Sequence, residues 1–393
     1  MNGLLAGRVP VVVEAVRTPI GKRAGDLAGL KSVELLRTVQ LEVIARAGIE
    51  PGDVEQIIGG CVTQAGEQSL NVTRNAWLST GHDPAVGCTT VDASCGSAQQ
   101  ANHLVAGLIA AGAIDIGIGC GVESMSRVPV GVNLYHGPGD YKTAGYPWED
   151  PPGAQFGGAE RIARREGLSR EDADAYGLLS QQRAAAAWAA GRFGRELVPV
   201  QVPDPDPEGP GEGRWISRDQ GLRASTAAGL AALAPTVPGG VHTAGSTSQI
   251  SDGAAAILWM SAGRARSLGL PARARLAHQV VTGADPYYLL DGPVAATGKI
   301  LARAGMKLGD VDLYEVNEAF AAVVLNWLRH HDADLERTNV SGGAIALGHP
   351  LGATGTRLLV SALHELERRG AQSALVTMCC GGSLGTASIL QRA

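Results

Sequence analysis

The sequence predicts a layered α/β protein of two similar halves, with a long insertion in the first. Three observations carry this. Short β-branched runs alternate with longer stretches of helical spacing. The end of the chain repeats the order of elements found near its start. Glycine is abundant, 54 of 393 residues, about twice its usual share, so backbones must approach something closely at many places.

Val9 to Val13 reads as the first strand and Gln56 to Val62 as the second. Between them, Ser32 to Ala47 sets Val33, Leu36, Val39, Val43 and Ile44 at helical spacing and stops at Gly48, a natural C-terminal glycine. A strand at Thr89 to Ala93, a small-residue helix at Ser97 to Ala111 and a strand at Ile114 to Cys120 repeat the unit, which implies a largely parallel sheet. Over 121–245 the alternation stops. Gly, Pro and the aromatics Tyr135, Tyr141, Tyr146, Trp148 and Phe156 mark loop there. Glu160 to Glu166 and Ser169 to Ala190 read as helices, the second opening on a Ser169/Asp172 capping box, and Pro203 to Gly213 reads as exposed loop. So long a connection is unusual unless functional. The rhythm returns with an Ala-rich helical stretch after Ser251, a strand at Arg273 to Val281, a helix at Val294 to Ala304, a strand at Leu313 to Val316 and a helix at Glu318 to His330. Thr338 to Val340 (strand), a glycine-rich turn, Ala353 to Arg369 (helix) and Ala374 to Met378 (strand) close the chain. A tandem duplication sets the turns carrying Cys95 and His349 near a shared pseudo-twofold axis.

Composition excludes several classes. The net charge of −5 leaves no basic excess for a phosphate backbone or an anionic membrane, so nucleic acid is not an expected partner. The longest apolar run, Leu104 to Ile114, is too short to span a bilayer, and residues 1–10 lack the basic and apolar regions of a secretory signal. A reducing cytoplasm is the expected compartment. Six cysteines are too few for a disulfide scaffold and none form C-x-x-C pairs, so no metal is expected.

Cys95 lies between a strand and a helix, where the helix dipole lowers a thiol pKa and favours a nucleophilic thiolate; a buried structural cysteine is the other reading, and it suits Cys61, Cys88 and Cys120 better. His349, fixed between Gly348 and Pro350, can be approached closely by a ligand or can merely cap the following helix. Asn317 either caps a helix or orients a water or an imidazole, and Glu318 reads as a first-turn helix acid. Cys379-Cys380-Gly381-Gly382 presents a second thiol at a strand end beside backbone amides. Two thiols, a histidine and an asparagine at strand ends suggest covalent acyl chemistry, one thiol attacking a thioester and the other moving the proton.

Taken together these motifs identify a resemblance. Arg17-Thr18-Pro19-Ile20-Gly21, the Cys95 turn, Asn317-Glu318-Ala319-Phe320, Gly342 to Pro350 and the terminal Cys-x-Gly occur in the order found in the thiolases, the acyl-CoA acetyltransferases and 3-ketoacyl-CoA thiolases, over essentially the whole chain. The resemblance implies a five-layered αβαβα fold of two halves, 1–120 with 246–270 and 271–393, plus a loop domain, 121–245, that binds coenzyme A. It implies Cys95 as the acylated nucleophile, Cys379 as the acid/base thiol, and His349 as a group that helps activate Cys95 and contributes, with a water held by Asn317, to one oxyanion hole. The backbone amides of Cys95 and Gly381 form the other, which accounts for much of the glycine excess. Coenzyme A is then a co-substrate and no cofactor is permanently bound. Ala244 and Ser248 are expected at the pantetheine with Phe320 nearby, and Arg223 at a phosphate unless it is a solvated surface arginine.

The sequence also departs from the short-chain biosynthetic members. Their His-Met pair appears as Gln155-Phe156, still assigned to the coenzyme A side; a loop serine is replaced around Gly229; and Leu289 stands where a methionine narrows the pocket. A different acyl pocket is implied, and Glu55 to Gln68, Gln99 to Gly112 and Ser246 to Met260 look most like actinobacterial thiolases that shorten steroid side chains. The expected activity is cleavage of a 3-ketoacyl-CoA by coenzyme A, by a homodimer or homotetramer. The alternatives are the Claisen direction, a ketoacyl synthase, a silent acyl-CoA or lipid-binding protein, and a Cys-His-Asn amide hydrolase.

Overall fold

A computed structural model describes residues 7–135, 142–203 and 213–393. Tyr141 and most of the Pro203 to Gly213 loop lie outside the described residues. The first half contains β1 (Pro10–Arg17), α1 (Ser32–Ala47), β2 (Gln56–Gly60), α2 (Val72–Leu78), β3 (Gly87–Val91), α3 (Ser97–Ala111) and β4 (Ile116–Ser124). The intervening region holds α4 (Gln155–Arg165) and α5 (Arg170–Ala189), and the chain returns to the sheet as β5 (Ser251–Ser261). Then follow β6 (Ala274–Gly283), α6 (Gly292–Ala304), β7 (Leu313–Val316), α7 (Ala321–His331), α8 (Leu351–Arg369), β8 (Ser373–Cys380) and β9 (Leu384–Arg392).

The strands run in the order β3-β2-β4-β5-β1 and continue as β6-β9-β8-β7. Only Val11 and Val12 of β1 pair with β6, so the two halves meet at a narrow seam. Each half is mixed rather than largely parallel as expected: β2 runs parallel to β3 and β4, and β5 antiparallel to β4 and β1. The second half repeats this, with β7 parallel to β8 and β9 antiparallel to β8 and β6. The reason is the last connection in each half, which returns without a crossover helix on the sheet face and so reverses direction. The expected strand Thr338 to Val340 is reduced to one parallel bridge, Thr338 to Tyr314.

β5 is the clearest departure, because the Ala-rich stretch after Ser251 forms a strand and not a helix. All of Ser251–Ser261 is buried, with α1 and α8 packed on it. Alanine favours helices in isolation, but a strand covered on both faces accepts small apolar residues and burial overrides propensity.

Three cores separate the layers. Val39, Val43, Ile118 and Leu258 pack between α1 and the first sheet. Val105, Ile109, Leu359 and Val376 pack around the middle helices α3 and α8, and Ile300, Trp327, Leu375 and Ile389 between the second sheet and α6 and α7. Helix α8 presses backbone to backbone on its neighbours: a Cβ on Gly121 of β4 would lie 2.1 Å from the Gly352 carbonyl oxygen, and one on Gly355 of α8 2.3 Å from the Gln99 nitrogen of α3. Some of the glycines therefore serve close packing of elements and not only the turns to which the sequence assigned them. None of the described helices is long and apolar enough to cross a membrane.

Arg17 ties the intervening region to the sheet. Its guanidinium, 1% exposed, donates to Glu196 at 2.6 Å and to Asp219 at 2.7 and 3.0 Å, while Asp219 also accepts from the Ile20 amide.

Candidate active site

Cys95 sits one residue before the N-cap of α3, in a turn that the local sequence builds. Asp92 accepts from the Ser94 amide at 2.7 Å, and the Ser97 hydroxyl takes the Ala93 amide at 2.9 Å. Ser94 has φ +51°, a conformation that costs a non-glycine residue energy, and the strained turn sets Cys95 at the helix mouth. The expected lowering of its pKa is absent in the free protein. Burial pushes the thiol up, to about 11, and outweighs the pull of the Gly381 amide, the Gln155 side chain and its own amide.

Cys379 and Cys380 point to opposite faces of β8, as alternation requires. Cys380 joins Cys95 in the middle core. Cys379 faces an apolar wall of Leu289, Ala319 and Phe320. Burial, and after it the charge of a Cys95 thiolate, pushes its pKa well above the usual thiol range. Gly381 follows, and a Cβ there would lie 3.0 Å from Ser94 Oγ, so the two turns are in contact.

His349 and Asn317 meet on the other side. Gly348 at φ +116° carries the chain into the His349 turn, whose amide is held by Ser251 Oγ at 3.1 Å. His349 Nδ1 lies 2.7 Å from Thr354 Oγ1, which itself donates to the Pro350 carbonyl. The hydroxyl therefore accepts from Nδ1–H, which leaves Nε2 with its lone pair, 3.3 Å from Asn317 Nδ2. Burial holds the imidazole down to about 3, with Arg357 adding to the effect, so the ring is neutral at any working pH. Asn317 Oδ1 is buried and has no partner among the described residues. Such an atom suits a bound water. No direct hydrogen bond links His349 to Cys95 among the described residues; the two belong to adjacent clusters.

Neither Asn317 nor Glu318 has the helix role considered for it, because α7 begins only at Ala321. Glu318 is buried and accepts from Ser180 Oγ at 2.6 Å, Tyr176 at 3.0 Å, and Asn339 and the Ile345 amide at 3.1 Å. It joins α5, the strand end and the glycine-rich turn, and so fixes Asn317 beside His349. Thr354, which selects the imidazole tautomer, was missed; its spacing five residues after His349 is the only signal the sequence offers.

The residues expected at coenzyme A fall in two groups. Thr247 bridges Phe320, the Ser248 amide donates to Ala319, and the Ala321 amide donates to Ser246, so the segment with Ala244 and Ser248 lies along Asn317 to Phe320. Arg223 is exposed, and its guanidinium donates to the Ala244 carbonyl at 3.2 Å. Phe156 packs edge-on to Phe320, which packs edge-on to His242. His242 is held between Glu160 and the Ala322 amide. Gln155, by contrast, turns toward Cys95, with Nε2 3.9 Å from Sγ. No group of three metal-ligating side chains occurs among the described residues.

Residues 10–263 match the family description "Thiolase, N-terminal domain" and residues 270–392 "Thiolase, C-terminal domain". The chain is 40% identical to steroid 3-ketoacyl-CoA thiolase FadA6 of Mycobacterium tuberculosis, over 97% of this chain and 93% of that one. It is 39% identical to the 3-ketoacyl-CoA thiolase of Bacillus subtilis, over 97% and 98%. Among solved structures, the acetyl-CoA acetyltransferase of Bacillus anthracis superposes with TM-score 0.90 at 34% identity, covering 98% of this chain and 99% of that one. Human mitochondrial 3-ketoacyl-CoA thiolase in complex with CoA superposes with TM-score 0.88 at 32% identity, covering 99% of each. With both family domains matched end to end and the five-layered fold shared, the chain belongs to the thiolase family and is an acyltransferase.

Proposed function

We propose that this enzyme is a degradative 3-ketoacyl-CoA thiolase with Cys95 as nucleophile and Cys379 as acid and base. The observation that carries the assignment is the pair of close but unlike thiols, one beside hydrogen-bond donors and the other against an apolar wall. Cys95 gives its proton to a neutral base, for which His349 Nε2 has the lone pair, and attacks C3 of the substrate. The C2–C3 bond breaks and its electrons go to the departing enolate of acetyl-CoA, whose α-carbon takes the proton of Cys379. The Cys379 thiolate then takes the thiol proton of a free coenzyme A, whose sulfur attacks acyl-Cys95; the shortened acyl-CoA leaves, and the expelled Cys95 sulfur recovers the proton held on His349, which restores both thiols. Asn317 with a water, and the Gly381 and Cys95 amides, are the donors aimed at the two oxyanions.

Coenzyme A enters as co-substrate over the 121–245 region and the strip from Ala244 to Ser248, with Phe320 and Phe156 beside it and Arg223 on the outer side. The halves are 1–120 with 246–270 and 271–393, and the enzyme works as a cytoplasmic homo-oligomer. Leu289 and Phe320 beside Cys379 suit an acyl group bulkier than acetoacetyl, and the likeness to a steroid thiolase supports a side chain on a ring system. The test is coenzyme-A-dependent thiolysis by wild type and Cys95→Ala on acetoacetyl-CoA, a long straight-chain 3-ketoacyl-CoA and a steroid 3-ketoacyl-CoA, with intact mass for acyl-Cys95. Turnover and acylation that vanish in the variant support the assignment. Absence of both in wild type replaces it with an acyl-CoA-binding protein on this scaffold.

A further inference from the structure

We propose that Gln155 belongs to the nucleophile and not to the coenzyme A site: its side-chain amide donates a hydrogen bond to the Cys95 sulfur and stabilises the thiolate that attacks. The inference rests on the thiolase reading and adds a donor to it. Three features of the chain point the amide there. Ala154, just before α4, holds φ +52° and ψ −119°, a strained conformation for a residue with a Cβ, so the backbone is forced into the helix at the angle that swings Gln155 inward. The turn before it is tight, since a Cβ on Gly157 would fall 2.0 Å from the Pro152 carbonyl oxygen. The helix it opens is pinned on both sides. Glu160 accepts the Val241 and His242 amides, and Arg161 donates to the Tyr287 carbonyl at 2.9 Å while its guanidinium stacks on the Tyr287 ring at 3.8 Å.

The outcome is Gln155 Nε2 at 3.9 Å from Cys95 Sγ, beside the backbone of Gly381, where a Cβ would approach the same nitrogen at 3.9 Å. The sulfur is therefore flanked by two turns that each supply an N–H, one from the end of β8 and one from the start of α4. Burial opposes the thiolate, and a polar N–H donor is the group that offsets it. In the free protein Asn317 Nδ2 is paired with His349 Nε2, and among the described residues Gln155 is the side chain that donates to the sulfur.

The test uses the full-length enzyme with Gln155→Met, which keeps length and loses the donor, and Gln155→Glu, which keeps shape and sets an acceptor against the sulfur. Two quantities are read: the pH profile of Cys95 alkylation by iodoacetamide, located by peptide mass, and the rate of Cys95 acylation against KM for coenzyme A. Equal melting temperatures confirm intact folding. We expect the alkylation profile to move to higher pH in both variants, further in Gln155→Glu. Alkylation and acylation at pH 8 should fall about tenfold in Gln155→Met, one pKa unit's worth of thiolate, with KM for coenzyme A within twofold of wild type. Unchanged alkylation profiles overturn the inference, most clearly if KM for coenzyme A rises instead. Should wild type itself fail to acylate on any 3-ketoacyl-CoA while the variants still shift alkylation, the donor assignment stands and the thiolase substrate assignment falls.

Discussion

The two halves repeat one strand order and orientation, yet the same address does different work in each. On β4, Glu123 pairs opposite Gly253 of β5; on β8, Cys379 pairs opposite Gly385 of β9. Glu123 is fully buried and accepts from the Val62 amide at 2.9 Å, the Thr63 amide at 3.0 Å, and Gln68 and the Gly352 amide at 2.8 Å. Cys379 accepts nothing comparable and faces the apolar wall. A further difference follows from the connection beyond each position. After β8 the chain turns straight into β9 through Gly381 to Ser383, whereas after β4 it leaves the sheet over residues 125–250 before returning as β5. Duplication thus supplies a rigid frame twice. One copy of the strand end carries a buried carboxylate anchor under a large insertion, and the other carries a buried thiol against an apolar wall.

Cys95→Ala is expected to reduce turnover by about 10⁴-fold or more, as removal of a nucleophile does, measured by thiolysis and by the absence of an acyl adduct. Cys379→Ala should lose about 10²–10⁴-fold, the scale of general acid–base catalysis, with acyl-Cys95 still formed from an acyl-CoA donor; unimpaired turnover would favour the ketoacyl synthase reading. At the matching address Glu123→Ala should act on stability instead, because it strands several buried donors at about 1–3 kcal/mol each. Denaturant unfolding should show a loss of about 3 kcal/mol or more. Gly355→Ala, which forces a Cβ against the Gln99 backbone, should cost about 1–3 kcal/mol and move α3 against α8, read by melting temperature.

The smallest effect is on pH dependence. Cys95 is held up at about 11 and Cys379 higher still, so deprotonation of Cys95 comes first as pH rises. Iodoacetamide labelling of Cys95 should increase about tenfold per pH unit from 7 to 10 while Cys379 lags, and equal labelling of both would remove the distinction between the thiols. His349, already neutral above about 3, should contribute no inflection between pH 5 and 9.

Much of the fold was legible because it is local. α3 spans the expected Ser97 to Ala111, and β7 occupies the expected Leu313 to Val316. β5 was misread since its alanines carry a helical preference that only double-sided burial overrides. β9 went unnoticed because Leu384 to Arg392 has weak alternation and gains its identity from pairing with β6 and β8. At the site, Cys95, His349, Asn317 and Cys379 were visible as a set of motifs in order. Thr354, the buried Glu318 hub and the inward turn of Gln155 were not, since each depends on which element packs beside it.

The αβ alternation, the repeat of two halves, the place of Cys95 between strand and helix and the family are readable in the chain, because capping, spacing and motif order are properties of neighbouring residues. The mixed direction of the sheets, the close approach of Gly355 of α8 to Gln99 of α3, and the raising of the Cys95 thiol by burial instead of its lowering by the helix dipole emerge from packing. The physical reason is common to all three: strand direction, backbone contact and desolvation are set by residues far apart in the chain, and their sum outweighs what any local segment prefers.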